Sequence, residues 1–211
     1  MRFQITTLLI TVALTAASFY QAPYPNELWL QHMPTVVLLV ALAASSIWFR
    51  ISKVSFLCIV AFLWLHILGA RWIYSFVPYD DWSCFLLGQS ASEHFGWQRN
   101  HYDRMVHLAS GLLVVPPASE VLQRWGGMRP LGAAMMAIAV VLAIGAVYEI
   151  LEWQIAVAFS PQQAEAYNGQ QGDVWDPQKD LALAWIGAAI SAGLVFRKSY
   201  DRPTSKAFPS G

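Results

Sequence analysis

The stretch His101-Tyr102-Asp103-Arg104-Met105-Val106-His107-Leu108-Ala109-Ser110-Gly111 carries an ionisable cluster straight into an apolar run. Asp103 and His107 are spaced i and i+4, so on a helix both side chains leave one face, one turn apart. Titratable groups at the lip of a hydrophobic segment are costly in lipid, and as a rule they serve a function. Two questions follow: whether the apolar run crosses a membrane, and what meets Asp103 and His107 there.

Composition answers the first. Of 211 residues, 56% are hydrophobic and 12% charged, about half the charged fraction of an ordinary soluble domain. With a mean hydropathy of +0.42 and ten Trp, the chain reads as an integral membrane protein surrounded by the lipid bilayer. Net charge is zero and no basic tract interleaves with aromatics, so nothing points to nucleic acid. The two cysteines, Cys58 in an apolar run and Cys84 in a polar loop, form neither a disulfide framework nor a CxxC metal motif.

At about twenty apolar residues per crossing, the chain divides into six spans: Phe3–Tyr20, Pro34–Phe49, Val54–Phe76, Met105–Leu122, Leu131–Ala158 and Leu181–Phe196. The second and sixth are short for a crossing. The first, with Arg2 ahead of it and Ala16-Ala17-Ser18 behind, also has the outline of a signal peptide, but no A-x-A site follows and it is retained as a span. The expected architecture is all-α: one polytopic helical bundle over residues 1–211, with a short basic cytoplasmic tail at 197–211.

Orientation follows from the basic residues, which collect in cytoplasmic loops. Arg2, Arg50, Lys53, Arg124, Arg129, Arg197, Lys198, Arg202 and Lys206, nine of thirteen, fall on one side, so both termini are expected in the cytoplasm. The acids and histidines, which played no part in that assignment, segregate the other way. All five His and all carboxylates except Glu120 and Asp201 lie in the outer loops or outer halves of spans.

Within two or three turns of the outer interface lie His66, Arg71 and Tyr74 on span three, Asp103, Arg104 and His107 on span four, and Tyr148, Glu149 and Glu152 on span five. The segment Gly169-Gln170-Gln171-Gly172-Asp173-Val174-Trp175-Asp176-Pro177-Gln178-Lys179-Asp180 opens span six. Four helix ends can thus converge on one polar pocket. Carboxylates and imidazole together suit a divalent cation such as Mg, Mn or Zn. The candidate shell is Asp103, His107, Glu149, Glu152 and Asp173, with Asp180 next. Asp103 and His107 are the candidate catalytic pair, and Arg71, Arg104 and Tyr148 are candidate contacts for an anionic substrate group.

Each piece also has a structural reading. Asp176 before Pro177 looks like a helix N-cap, and Asp180 then sits where the helix dipole favours negative charge. Glu149 and Glu152 can be counter-ions of Arg71 or Arg104. His66 can be a lone histidine with a buried partner. His32 and His94 are expected in solvated loops. Pro116-Pro117 should bend span four, and the small residues Gly187-Ala188-Ala189 and Ser191-Ala192-Gly193 read as close helix packing.

The blocks Asn100-His101-Tyr102-Asp103-Arg104 with His107 and Gly111, Tyr148-Glu149-Ile150-Leu151-Glu152-Trp153, and Gln171-Gly172-Asp173-Val174-Trp175-Asp176 with Asp180 resemble the YjdF-type family of bacterial inner-membrane proteins. The resemblance implies a six-span protein of the inner membrane. A weaker likeness runs to VanZ-like membrane proteins, which share the layout of an Arg and His at one helix start, a Glu-bearing helix next and an Asp-rich segment opening the last. Neither resemblance names a substrate. Three functions stay open at this level: a cation-dependent hydrolase or transferase on a lipid-linked or envelope substrate, a small proton-coupled transporter, and a structural or accessory protein without catalysis.

Overall fold

The computed structural model describes residues 2–158 and 171–200. Residues 159–170 and those beyond residue 200, with Asp201, Arg202 and Lys206 of the expected basic tail, lie outside the described residues. Every regular element described is helical: α1 (Arg2–Ser18), α2 (Pro25–Ala44) continued by a π turn at Ser45–Phe49, α3 (Lys53–Arg71), the short α4 (Tyr79–Leu87) and α5 (Ala91–Phe95), α6 (Tyr102–Arg124), α7 (Pro130–Ala158) and α8 (Asp176–Tyr200). Among the described residues, five segments are long and apolar enough to cross a membrane: Pro25–Phe49, Lys53–Arg71, Tyr102–Arg124, Pro130–Ile155 and Asp176–Arg197. Helix α1 is apolar but only 17 residues long.

Three boundaries differ from the sequence expectation. Helix α2 starts at Pro25, with proline in its first turn and Pro34 inside it. The second crossing is therefore 25 residues long rather than short. The polar residues Gln31 and His32 looked like loop; both are buried, and they face the bundle instead. His32, expected in solvent, hydrogen-bonds Ser18 Oγ at 2.8 Å and Thr35 Oγ1 at 3.1 Å. Helix α8 starts at Asp176, five residues before Leu181, so the last crossing is not short either. Helix α3, conversely, stops at Arg71, because Ile73 and Tyr74 take left-handed backbone at φ 42° and 58° and turn the chain back.

Helix α6 is the centre. It packs against α3 on one side and against α7 and α8 on the other, while α1 and α2 reach the rest through α3. The α6–α8 seam is an approach of backbones. A Cβ on Gly111 would collide with the main chain of Ala184 and Ala188, and one on Gly187 with the Leu108 carbonyl. Ala134, Ala137, Ala184, Ala188 and Ala192 fill the neighbouring core with Val115 and Val141. Small residues permit this closeness, which is what drives helix association in lipid.

Pro116 contributes to the same seam. Lacking an N–H, it leaves the Leu112 carbonyl without its helical donor, and Ser191 Oγ of α8 supplies one at 2.8 Å. Helix α6 runs on through both prolines to Arg124. At the opposite end from the site, Glu120 accepts from Ser52 N at 2.8 Å, Ser55 Oγ at 2.6 Å and Arg124 Nη1 at 2.6 Å. This carboxylate closes the N-terminus of α3, where helix donors have no partner of their own.

Candidate functional site

The N-terminal turns of α6 and α8 lie side by side because the glycine seam holds the two helices together. Asp103 and His107 leave α6 one turn apart, and Asp176 and Asp180 leave α8 with the same spacing. The loop before each helix is stitched to the other. Asn100 N donates to Gln171 Oε1 at 2.8 Å, and Gln171 Nε2 donates back to the Asn100 carbonyl at 3.1 Å.

Two layers of charge result. The outer layer is paired, each of its carboxylates meeting a cation. Arg104 Nη2 donates to Asp173 Oδ2 at 2.5 Å and Asp176 Oδ1 at 3.2 Å, Arg99 forks onto both oxygens of Asp176, and Lys179 Nζ meets Asp173 Oδ2 at 2.6 Å. Asp173 also accepts from Trp175 N at 3.1 Å, a local turn bond that opens α8. The Lys179 hydrogen bond comes first among the influences that pull the Asp173 carboxyl down to about 2, followed among the lowering influences by the Trp175 amide and Arg104.

That depression has a sign. A carboxyl held below its ordinary value of 3.8 contributes stability that is complete above that value and is lost as pH falls through the folded pKa. The melting temperature should therefore drop between pH 4 and pH 2, and D173N should show a shallower drop over that interval in a melt series against pH.

The inner layer is not saturated. Asp103, His107 and Asp180 bring one ligand atom each to within 4.8 Å of one another, and all three side chains are buried. Glu149 Oε1 of α7 lies 3.5 Å from His107 Nε2, and Asp103 Oδ1 lies 3.7 Å from the same nitrogen. Glu152, nearly one turn along α7, stands within electrostatic reach of Asp103, Glu149 and Asp180. Asp180 is 2% exposed, yet its Oδ1 has no hydrogen-bond partner; Glu149 Oε1 and Arg104 Nε are in the same condition. A buried polar atom left unpaired costs about 1–3 kcal/mol, more when charged.

Across the cleft from this cluster stands a second polar group. His66 Nε2 bonds the Gln31 carbonyl at 2.9 Å and its Nδ1 bonds the Tyr74 hydroxyl. Tyr74 reaches back to His66 only because of the left-handed turn after α3, an uncommon conformation for non-glycine residues. Tyr148 Oη of α7 donates to Gln31 Oε1 at 3.3 Å. Gln31 thus joins α2, α3 and α7.

The candidates read from the sequence are distributed as follows. Asp103, His107 and Asp180 meet, with Glu149 touching and Glu152 close behind. Asp173 belongs to the ion-pair layer with Arg104, and Tyr148 to the mouth of the cleft. Arg71 departs from the expected pocket: its Nη1 donates to the carbonyls of Ser18 at 2.7 Å and Tyr20 at 2.8 Å and closes the C-terminus of α1. Arg104 pairs with Asp173 and Asp176, and Arg71 bonds main chain, so neither serves Glu149 or Glu152 as the expected counter-ion. Sequence reasoning gave Arg99 and Gln31 no role. Arg99 sat in an unstructured-looking loop, and Gln31 in a stretch read as one.

The chain matches the family DUF2238, described as a predicted membrane protein, over residues 3–200. It is 32% identical over 173 residues to the inner membrane protein YjdF of Escherichia coli (strain K12), an alignment covering 80% of this chain and 78% of that protein. No solved structure matches.

Proposed function

The chain belongs to the DUF2238 family of predicted membrane proteins, and on that footing we propose that this multi-pass inner-membrane protein binds a divalent cation at Asp103, His107 and Asp180. The cation serves hydrolysis of, or transfer from, a lipid-linked or envelope substrate at the outer face. The observation that carries the reading is Asp180 Oδ1, buried without a donor beside Asp103 and His107. Asp103, His107 and Asp180 would hold the cation, which would supply the missing partner. Two carboxylates and one imidazole suit Mg and Mn, and with the imidazole also Zn.

A bound cation would polarise an ester oxygen and acidify a water. The chain's own groups divide the remaining work. Glu149, against His107, is placed to take the proton from that water as its oxygen attacks. Glu149 would then return that proton to the leaving oxygen of the broken ester bond. The Nε–H of Arg104 is the donor left for the substrate's anionic part, Tyr148, bonded to Gln31, borders its entrance, and Asp173 and Asp176 keep Arg104 and Arg99 in place. Arg71, engaged with α1, has no substrate role.

The orientation belongs to the same proposal: α1 also crosses, making six spans with the other five, both termini are cytoplasmic and the site end faces out. Cys84 on α4 is exposed and Cys58 half-buried within α3. Labelling of Cys84 by a membrane-impermeant maleimide in intact spheroplasts supports this orientation, and labelling only after lysis contradicts it.

Thermal unfolding with and without Mg, Mn or Zn tests the cation. A ligand at a hundred times its Kd stabilises by about 2.7 kcal/mol, and D180N should lose that gain while still folding. No shift with any ion, or an undiminished shift in D180N, would overturn the reading. A proton-coupled transporter is favoured less, since Glu120, the one acid at the far end among the described residues, is committed to Ser52, Ser55 and Arg124. A purely structural role accounts for the outer ion pairs but leaves Asp180 Oδ1 and Glu149 Oε1 without a hydrogen-bond donor.

A further inference from the structure

A cleft of about 480 Å³ runs between α2 and α3 on one wall and α6 and α7 on the other. Asp103, His107 and Tyr148 stand at one end, and Val121 and Ile51 line the other. Between Asp103 and Val121, α6 advances roughly 27 Å at 1.5 Å per residue, nearly the ~30 Å hydrocarbon thickness of a bilayer. Below the site end the walls are apolar but for two hydroxyls, and both are turned into their own helices: Ser110 Oγ donates to the His107 carbonyl at 2.7 Å, and Ser45 Oγ to the Leu42 carbonyl at 2.8 Å.

The cleft also has a way in. Helices α3 and α6 pack against each other, but α2 and α7 barely touch, and the Tyr148–Gln31 hydrogen bond spans the gap between them at the site end. In a membrane that open side borders lipid. Empty apolar space of this size beside hydrocarbon fills with hydrocarbon, since no water can hydrogen-bond along its walls.

We infer that this cleft binds the apolar tail of a lipid substrate with one long chain, entering sideways between α2 and α7 and setting its oxyanion head at the Asp103–His107–Asp180 cluster. The inference rests on the proposed cation site for the head group, because the cluster alone is acidic and would repel an anion. The tail needs no cation. A volume of about 480 Å³ drawn out over that length makes a narrow slot for one chain, within the range of about 300–1,000 Å³ usual for ligand pockets.

The test uses purified full-length protein in detergent, with binding of geranylgeranyl phosphate, geranylgeraniol and a two-chain phosphatidic acid counted by native mass spectrometry, and Mn²⁺ binding measured in parallel. Ala41 and Ile144 line the cleft from opposite walls and both are exposed, so A41F and I144W fill it without crowding a core. Both should weaken the prenyl phosphate and the prenyl alcohol at least tenfold, about 1.4 kcal/mol, with Mn²⁺ binding unchanged. D180N should weaken the phosphate and spare the alcohol. Loss of alcohol binding in A41F and I144W without any Mn²⁺ binding by wild type would support the tail site and sink the cation reading. Prenyl binding undiminished in both cleft-filling variants, or phosphatidic acid binding as tightly as the prenyl phosphate, would overturn the inference.

Discussion

Removing both Arg99 and Arg104 lowers the unfolding free energy by about 3–5 kcal/mol, the cost of stripping the partners from a buried charge. The charge is Asp176, 2% exposed at the first turn of α8. Arg99 holds both of its oxygens and Arg104 holds Oδ1 at 3.2 Å, so either arginine alone still leaves the carboxylate paired. Single R99A and R104A variants should each cost clearly less than half of the double, a non-additivity that a double-mutant cycle reads directly. R104K should restore little, since an ammonium cannot span Asp173 and Asp176 as the guanidinium fork does. Adding D176N to the double variant should recover much of the loss, because the uncompensated charge is then gone. Unfolding in detergent, followed by tryptophan fluorescence, measures all five proteins.

The second large effect is steric. G187L drives a side chain into the Leu108 carbonyl and the Leu112 amide, and backbone cannot rotate away as a side chain can. Overpacking of a close seam costs about 1–3 kcal/mol and occasionally more, and here α6 and α8 must separate. Asp180 lies two turns from Gly187, and His107 one turn from Gly111. Separation therefore opens the cation cluster, and G187L should lose stability and cation-dependent stabilisation together. Gly193 is the control. A Cβ there meets nothing within 4 Å, and G193A should be neutral or gain up to about 1 kcal/mol from better helix propensity. Cation-dependent stabilisation intact in a folded G187L protein would separate the seam from the site.

How legible this was in the sequence depends on what each residue had to reveal. The helical class followed from apolar run lengths, and Asp103 with His107 followed from spacing, since i and i+4 share a face in any helix. That Asp180 joins them was visible only as depth. Which side of α8 it occupies is set by Gly111 against Gly187, a contact between segments 76 residues apart. Helix ends were read worst where polar residues sit inside a span. Polarity places Gln31 and His32 in a loop, whereas burial decides their place, and Asp176 before Pro177 looks like a cap, whereas its carboxylate is the acceptor of two arginines. Arg71 misled for the opposite reason: a cation at a helix end can close a neighbouring helix as readily as it can bind a substrate.

Pulsed electron paramagnetic resonance of Mn²⁺ titrated into the purified protein tests the cation site most directly. The account predicts one high-affinity Mn²⁺ per chain, coupled to a single imidazole nitrogen, with that coupling lost in H107N and the ion itself lost in D180N. Mn²⁺ that fails to bind stoichiometrically, or binds with no nitrogen coupling or with one that survives H107N, would contradict it.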